Sequence, residues 1–145
     1  MKKGFLAILA ILYIGIVAGQ EVGIRFGGVN GGGGAAIDGV FDVGGTRIHA
    51  DVGFYDAFAA DLVWDLIFQP VPEGDNFYWY LGPGVSTWIG SEIFIGGCGE
   101  IGLEYRFVEV PVVIGVDWRP TLWIIEQTQF DARNFGLNVR WNFGE

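Results

Sequence analysis

Apolar and polar residues alternate with a period of two in one segment after another from residue 20 onward. In the segment 135–143 the odd-numbered residues are apolar and the even-numbered ones are Gly, Asn or Arg. Successive side chains of a β-strand point to opposite faces, so this alternation predicts strands with one apolar and one polar face. Apolar residues at helical spacing are not found in this part of the chain, and its fold is therefore predicted to be all-β.

Eight such segments follow one another between residues 22 and 143. They cover residues 22–27, 37–42, 47–54, 61–68, 77–82, 100–107, 112–122 and 135–143. Turn-forming residues between them predict connections at 29–34, 44–45, 56–59, 70–76, 91–97, 109–111 and 126–134. Eight strands of about 9–11 residues with short connections use up a domain of this size. The pattern predicts one domain, residues 20–145, folded as an eight-stranded antiparallel up-and-down β-barrel.

Residues 1–19 have a different character. Lys2 and Lys3 precede an apolar run that contains no charged residue as far as Gly19. A basic start followed by a short apolar stretch is typical of a secretory signal peptide. The small residues at the end of the run suit signal peptidase, so we expect residues 1–19 to be the signal peptide and Gln20 to begin the mature chain. A retained N-terminal anchor is the alternative.

Composition and charge narrow the functional class. Without residues 1–19 the chain has six arginines, no lysine and 17 acidic residues, and six minus 17 gives a formal charge of −11. Such an acidic chain is a poor partner for nucleic acid, whose phosphates bind Lys and Arg. The single cysteine, Cys98, excludes an intramolecular disulfide and a cysteine-based metal cluster. Charged residues make up only 17 % of the chain and hydrophobic residues 51 %, and apolar residues spread by alternation are typical of a membrane barrel.

The polar faces of the strands combine arginine with carboxylates. They contain Arg25, Asp38, Arg47, His49, Asp51, Asp65, Glu100, Glu104, Arg106, Asp117, Arg119 and Arg140. Arginine pairs well with partly buried carboxylates, whereas a solvated surface would be rich in lysine. Glycines on the same face leave room for large side chains in a narrow barrel. We therefore expect this face to line the lumen as a charge-paired structural network. The alternative is a barrel that binds or passes a small solute, including a soluble, secreted, lipocalin-like barrel with its apolar face inside.

The apolar faces carry many aromatic residues, which we expect to face outward. They are Phe41, Trp64, Phe68, Phe77, Trp79, Tyr105, Phe107, Trp118, Trp141 and Phe143. Several of these lie near the ends of strands that are joined by short turns. Aromatic side chains form girdles where a transmembrane barrel meets the membrane surface. This pattern favours a transmembrane barrel with a membrane-facing aromatic girdle.

Three segments carry a family resemblance. Gly99–Phe107, Val116–Pro120 and Phe135–Phe143 resemble the last three strands of small outer-membrane β-barrel proteins of the OmpA/OmpX-like kind, particularly the short ones common in Bacteroidota. The resemblance implies the outer membrane of a Gram-negative cell as location and outer-membrane lipid as surroundings. The aromatic last strand implies insertion by the outer-membrane assembly machinery. It does not imply an activity, and we expect a monomer.

Candidate catalytic groups are few. His49 is the only histidine, and it shares a strand face with Asp51. A hydrolase acting on membrane lipid would need a serine nucleophile beside them, and Ser86 and Ser91 are the only serines. The carboxylates offer acid and base groups or ligands for hard cations, but the arginines among them favour charge pairing. We therefore expect no catalysis, no cofactor and no metal site.

Overall fold

The computed structural model describes residues 2–17, 20–29, 32–54, 57–125 and 128–144. A single helix, α1 (Lys2–Val17), precedes the strands in these ranges. The strand segments are β1 (Glu21–Val29), β2 (Gly32–Val43), β3 (Thr46–Phe54), β4 (Phe58–Asp65), β5 (Ile67–Pro70), β6 (Phe77–Ile89), β7 (Ile93–Arg106), β8 (Val112–Trp118), β9 (Thr121–Trp123), β10 (Gln129–Asp131) and β11 (Phe135–Asn142). No helix in the described part of the chain is long and apolar enough to cross a membrane. Residues 18–19, which directly precede the predicted cleavage before Gln20, lie outside the described residues.

The strands close into a barrel. Neighbours pair antiparallel in the order β1, β2, β3, β4, β6, β7, β8 and β11, and β11 pairs again with β1. The other three segments continue these strands: β5 extends β4 along β6, β9 extends β8 along β7, and β10 precedes β11 and pairs with β9. The described residues therefore form a closed antiparallel barrel of eight strands, which confirms the predicted all-β barrel.

The two ends of the barrel differ. At one end, here called the turn end, Glu21 of β1 lies beside Asn142 of β11. Short connections join the strands there at 44–45, 71–76 and 107–111. Gly44 and Gly45 both have positive φ, 57° and 82°, a conformation that lets a two-residue turn match the twist of its strands. At the opposite end, the loop end, β6 and β7 are joined at 90–92. Residues 30–31, 56 and 126–127 of other predicted connections, and residue 55 before one of them, lie outside the described residues.

Two predicted connections are shorter than expected. The segment 91–97 was predicted as a turn, but β7 already begins at Ile93, and only 90–92 join it to β6. The glycines that suggested a turn lie instead in a strand, where Gly96 lies so close to β9 that a side chain there would overlap the Leu122 carbonyl. The predicted connection 126–134 likewise contains the short strand β10.

A β-bulge inverts one predicted face. Val63 pairs with Gly84 and Ile67 pairs with Leu81, so three residues of one strand face two of the next. An extra residue shifts the alternation that follows it by one position. Phe68 therefore pairs with the buried Tyr80 and points into the barrel. The prediction that Phe68 faces outward is wrong, because the pattern of apolar residues did not show the bulge.

Apart from the positions after this bulge, the alternation along the strands places charged side chains inside the barrel and apolar side chains outside. In β11 and β8, exposed apolar residues alternate with buried polar residues or glycines over most of their length. Seven residues of the predicted aromatic girdle lie on the outward faces of strands: Phe41, Trp64, Phe77, Trp79, Tyr105, Trp118 and Trp141. Two more, Phe107 and Phe143, are exposed just beyond strand ends. This orientation is the reverse of a lipocalin-like barrel.

Candidate functional site

The barrel interior is a network of charged side chains. The structure brings all twelve residues of the predicted lumen network to the inner face, and eleven of them are buried. The twelfth, Arg106, lies at the turn end with 20 % of its side chain exposed. Alternation along each strand produces this arrangement, because every second residue of a closed barrel points inward.

Like charges face each other across three neighbouring strands. Asp38 of β2 pairs with Asp51 of β3, which in turn pairs with Asp61 of β4. Carboxylates directly opposite one another destabilise a sheet unless cations lie between them. Arg119, which directly follows β8, supplies such a cation: it donates hydrogen bonds to Asp51 at 2.6 Å and to Asp61 at 2.7 Å. It also donates to Glu100 at 2.6 Å, so one guanidinium holds carboxylates from three strands.

A second cluster surrounds Glu104 near the turn end. This carboxylate accepts hydrogen bonds from Arg140 at 2.5 Å, from Arg106 at 2.7 Å and from Arg47 at 3.2 Å. Arg106 also donates to Glu21 at 3.1 Å. Three guanidinium groups around one buried carboxylate repel each other. Glu21, which pairs with Arg106, and Asp38, which pairs with Arg140, supply negative charge that offsets this repulsion.

A third cluster lies toward the loop end. Arg25 donates two hydrogen bonds to Asp117, at 2.5 Å and 3.1 Å, and Asn138 donates a third to the same carboxylate at 2.8 Å. The guanidinium of Arg25 lies against Gly136, where any side chain would overlap it. The structure thus supports the expectation that glycines on the polar face make room for arginine.

His49 lies among these clusters and contacts carboxylates on both sides. Its Nε2 lies 2.5 Å from Asp38 Oδ1, and its Nδ1 lies 3.0 Å from Glu100 Oε2. Neither serine is among its hydrogen-bond partners, since Ser86 is buried with its hydroxyl unpartnered and Ser91 is exposed. The serine-based hydrolase site considered from the sequence is therefore not assembled around His49 in the described structure. The absence of catalysis stays a prediction.

A small cavity opens at the turn end. Its volume is about 180 Å³, and it is lined by Glu21, Asp42, Arg47, Phe68, Arg106, Asn142 and Gly144. The Arg47 guanidinium lies 3.9 Å from the centroid of the Phe68 ring, so the aromatic face covers part of this cation. The fully buried ring of Tyr80 lies nearby, its centroid 5.4 Å from the Arg47 guanidinium carbon and 6.0 Å from the centroid of the His49 ring.

The predicted network missed several buried side chains of the lumen, Ser86 among them. Glu21, Asp61, Tyr80 and Asn138 are buried inside, but the predicted network did not include them. Three of them, Asp61, Tyr80 and Asn138, lie on the polar faces of predicted strands, so the alternation could have identified them as lumen residues. Glu21 lies one residue before the first predicted strand, and its face could have been extrapolated from Arg25.

Comparisons of this chain with models of protein families, with curated proteins and with solved structures find no match. The resemblance to small outer-membrane barrels therefore rests on the three segments of the sequence that carry it, and the described residues show a small, closed β-barrel.

Proposed function

We propose that this protein is exported and spans the bacterial outer membrane as a small barrel. In this proposal its role is structural or lies in surface interactions, without catalysis. The observation that carries the proposal is the distribution of polarity: charged side chains fill the interior, and large apolar side chains cover the outside of the strands.

The outer surface suits lipid better than water. Large, exposed apolar residues on the outward faces include Ile24, Phe26, Leu62, Trp64, Leu81, Val85, Ile101, Leu103, Ile114, Val116, Leu137, Val139 and Trp141. They lie on six of the eight barrel strands, namely β1, β4, β6, β7, β8 and β11. Soluble monomers rarely expose contiguous apolar patches larger than about 300–600 Å². A closed barrel also leaves no sheet edge unpaired, which a membrane-spanning sheet requires.

The direction of the chain agrees with this proposal. The described strands that begin and end the barrel meet at the turn end, together with the short connections. Single-chain outer-membrane barrels have short turns on the periplasmic side and longer loops outside. We therefore assign the turn end to the periplasm and the loop end to the cell surface, where a surface partner would bind.

The filled interior argues against a wide aqueous channel. Arginine–carboxylate clusters and Tyr80 occupy the lumen, as expected in a barrel of eight strands. The second candidate function, a barrel that holds a small polar solute, is favoured only by the cavity of about 180 Å³ at the turn end. A bound solute there would contact Arg47 and Arg106, and calorimetric titration with small carboxylates and cations would detect it.

Folding in the presence and absence of an amphiphile tests the membrane proposal. We expect the urea-denatured protein to recover β-structure in detergent micelles or lipid vesicles, but to aggregate in plain buffer. Unboiled and boiled samples are then expected to migrate differently on gels, because a closed barrel resists detergent denaturation. A soluble, folded monomer in plain buffer would contradict the proposal.

A charge placed on the outer face provides a second test. Val116 is 51 % exposed in the middle of the β8–β9 strand, between Leu103 and Leu137. Val116→Arg is expected to lower the free energy of unfolding in lipid by about 2 kcal/mol, because the guanidinium would enter the hydrocarbon.

The matched control is Val110→Arg. Val110 is similarly exposed, at 47 %, but it lies in the connection 107–111 at the turn end. We expect this variant to keep the stability of the unchanged protein. Equal effects of the two substitutions in urea titrations would argue that lipid does not surround the strands.

A further inference from the structure

Asp65 differs from the other buried carboxylates of the lumen. It is fully buried at the end of β4, and neither of its carboxylate oxygens has a hydrogen-bond partner. Seven other carboxylates buried in the lumen of the described structure accept a hydrogen bond from an arginine or lie against His49: Glu21, Asp38, Asp51, Asp61, Glu100, Glu104 and Asp117. Asp65 is thus the one carboxylate of these eight without a hydrogen bond from an arginine or histidine.

A buried carboxylate without a donor is costly, so a positive charge is expected beside it. The arginines do not supply one. Arg119 is bonded to three other carboxylates, and Arg47 is bonded to Glu104. The lumen of the described structure contains eight carboxylates and five arginines. If His49 is neutral, the lumen therefore has three more negative than positive charges.

The surroundings of Asp65 offer a set of metal ligands. The carboxylate oxygens of Asp65 and Glu100 and a ring nitrogen of His49 all lie within 4.8 Å of one another, and all three residues are buried. The nitrogen involved is Nδ1, which lies 3.9 Å from Asp65 and 3.0 Å from Glu100. These ligands come from three different strands, β3, β4 and β7.

The other side of the histidine ring is arranged as at many metal sites. In the tautomer that carries its proton on Nε2, His49 donates a hydrogen bond to Asp38 and directs the lone pair of Nδ1 toward Glu100. A ligating histidine usually donates its second ring N–H to a carboxylate, which orients the ring. In that tautomer two acceptors, Nδ1 and the Glu100 carboxylate, lie 3.0 Å apart, and a divalent cation bound to both would remove their repulsion without a second ring proton.

From this geometry we propose that His49, Asp65 and Glu100 bind a divalent transition-metal ion of the Zn²⁺ class. One imidazole nitrogen with two carboxylates suits Zn²⁺, whereas Mg²⁺ and Ca²⁺ prefer oxygen ligands alone. The ion would neutralise two of the three excess negative charges. Its bonds to the three side chains would also link β3, β4 and β7. The proposal differs from the expectation of no metal site, because residue spacing did not reveal that Asp65 is left without an arginine. It depends only on the barrel interior, not on what surrounds the barrel.

Zinc loading during refolding tests the site. The full chain is refolded in detergent with EDTA, or with one of Zn²⁺ and Mg²⁺, then freed of loose metal by gel filtration and assayed for bound metal and thermal unfolding. We expect one Zn²⁺ per chain and a higher unfolding temperature with Zn²⁺, but no change with Mg²⁺. Loading is done during refolding because Tyr80 and Arg47 lie above His49 on the side of the turn-end cavity.

The decisive variant is Asp65→Asn, which keeps the shape of the side chain. It is expected to weaken Zn²⁺ binding at least 100-fold and to abolish the response of the unfolding temperature. In EDTA the same variant is expected to unfold at a higher temperature than the unchanged protein, because it removes an unpaired charge. Asp75→Asn, which alters an exposed carboxylate in the connection 71–76, serves as the control and is expected to bind Zn²⁺ normally.

Two results would overturn the proposal. One is a folded, unchanged protein that retains no Zn²⁺ and shows no shift in unfolding temperature; Asp65 would then share a proton with Glu100. The other is undiminished Zn²⁺ binding by folded Asp65→Asn. If Asp65→Asn does not fold, His49→Gln tests the same ligand set, and normal binding by that variant would equally exclude the site.

Discussion

Arg119→Met is expected to lower the free energy of unfolding by about 3–5 kcal/mol, the cost of removing one partner from a buried ion cluster. The guanidinium donates to Asp51, Asp61 and Glu100 at 2.6–2.7 Å, and all four side chains are buried. Methionine has a similar length but offers no donor. Three carboxylates would then lie close together in a medium of low polarity. Urea titration of the refolded protein, followed by tryptophan fluorescence, measures the loss.

Two further variants separate charge pairing from general damage. Arg133→Met removes an arginine that is paired with Asp131 but has 72 % of its side chain exposed, and we expect a change below about 0.5 kcal/mol. Adding Asp51→Asn and Asp61→Asn to Arg119→Met should recover part of the lost stability, because fewer unpaired charges remain. A loss that the two asparagines do not reduce would show that Arg119 acts through packing.

Gly82→Val is expected to lower the free energy of unfolding by about 4 kcal/mol or to prevent folding, more than the usual 1–3 kcal/mol for overpacking. Gly82 points into the barrel opposite the bulge at 64–66. A side chain at this position would overlap the backbone carbonyl of Trp64. Backbone cannot rotate away as a side chain can, so the bulge itself would have to shift.

Gly97→Val is the matched control for this substitution. Gly97 lies in the same pair of strands, has an exposed, outward position and has nothing within 4 Å of the added carbon. A glycine inside a strand is unfavourable by roughly 0.5–1 kcal/mol relative to alanine, so this variant is expected to be as stable as the unchanged protein or slightly more. Equal losses at the two positions would argue against a specific close approach at Gly82.

The Arg119 and Asp65 variants together describe how the lumen is held. Arg119→Met removes the hydrogen-bond donor of three carboxylates that have one in the native barrel. Asp65→Asn removes the charge of a carboxylate that has no donor. The two substitutions are therefore expected to change stability in opposite directions when metal is absent. This difference follows from hydrogen-bond partners and not from burial, because both side chains are fully buried.

The sequence alone determined the strand order and most of the inside–outside assignment. Alternation is a local property: each strand residue points to the face opposite its neighbour, and a run such as 135–143 records this directly. The predicted identity of the lumen side chains follows from the same rule. Arginine mixed with carboxylates on one face, without lysine, further indicated that this face is the enclosed one.

Only the tertiary structure decided which charges meet and where the alternation breaks. The bulge at 64–66 depends on the register between β4, β5 and β6, and it turned Phe68 inward against Arg47. The partners of Arg119 lie 19–68 residues away along the chain, and no local pattern selects three carboxylates from the eight available. Asp65 was left without a donor for the same reason. Pairing in a closed barrel depends on register and on the shared space of the lumen, which are properties of the whole fold.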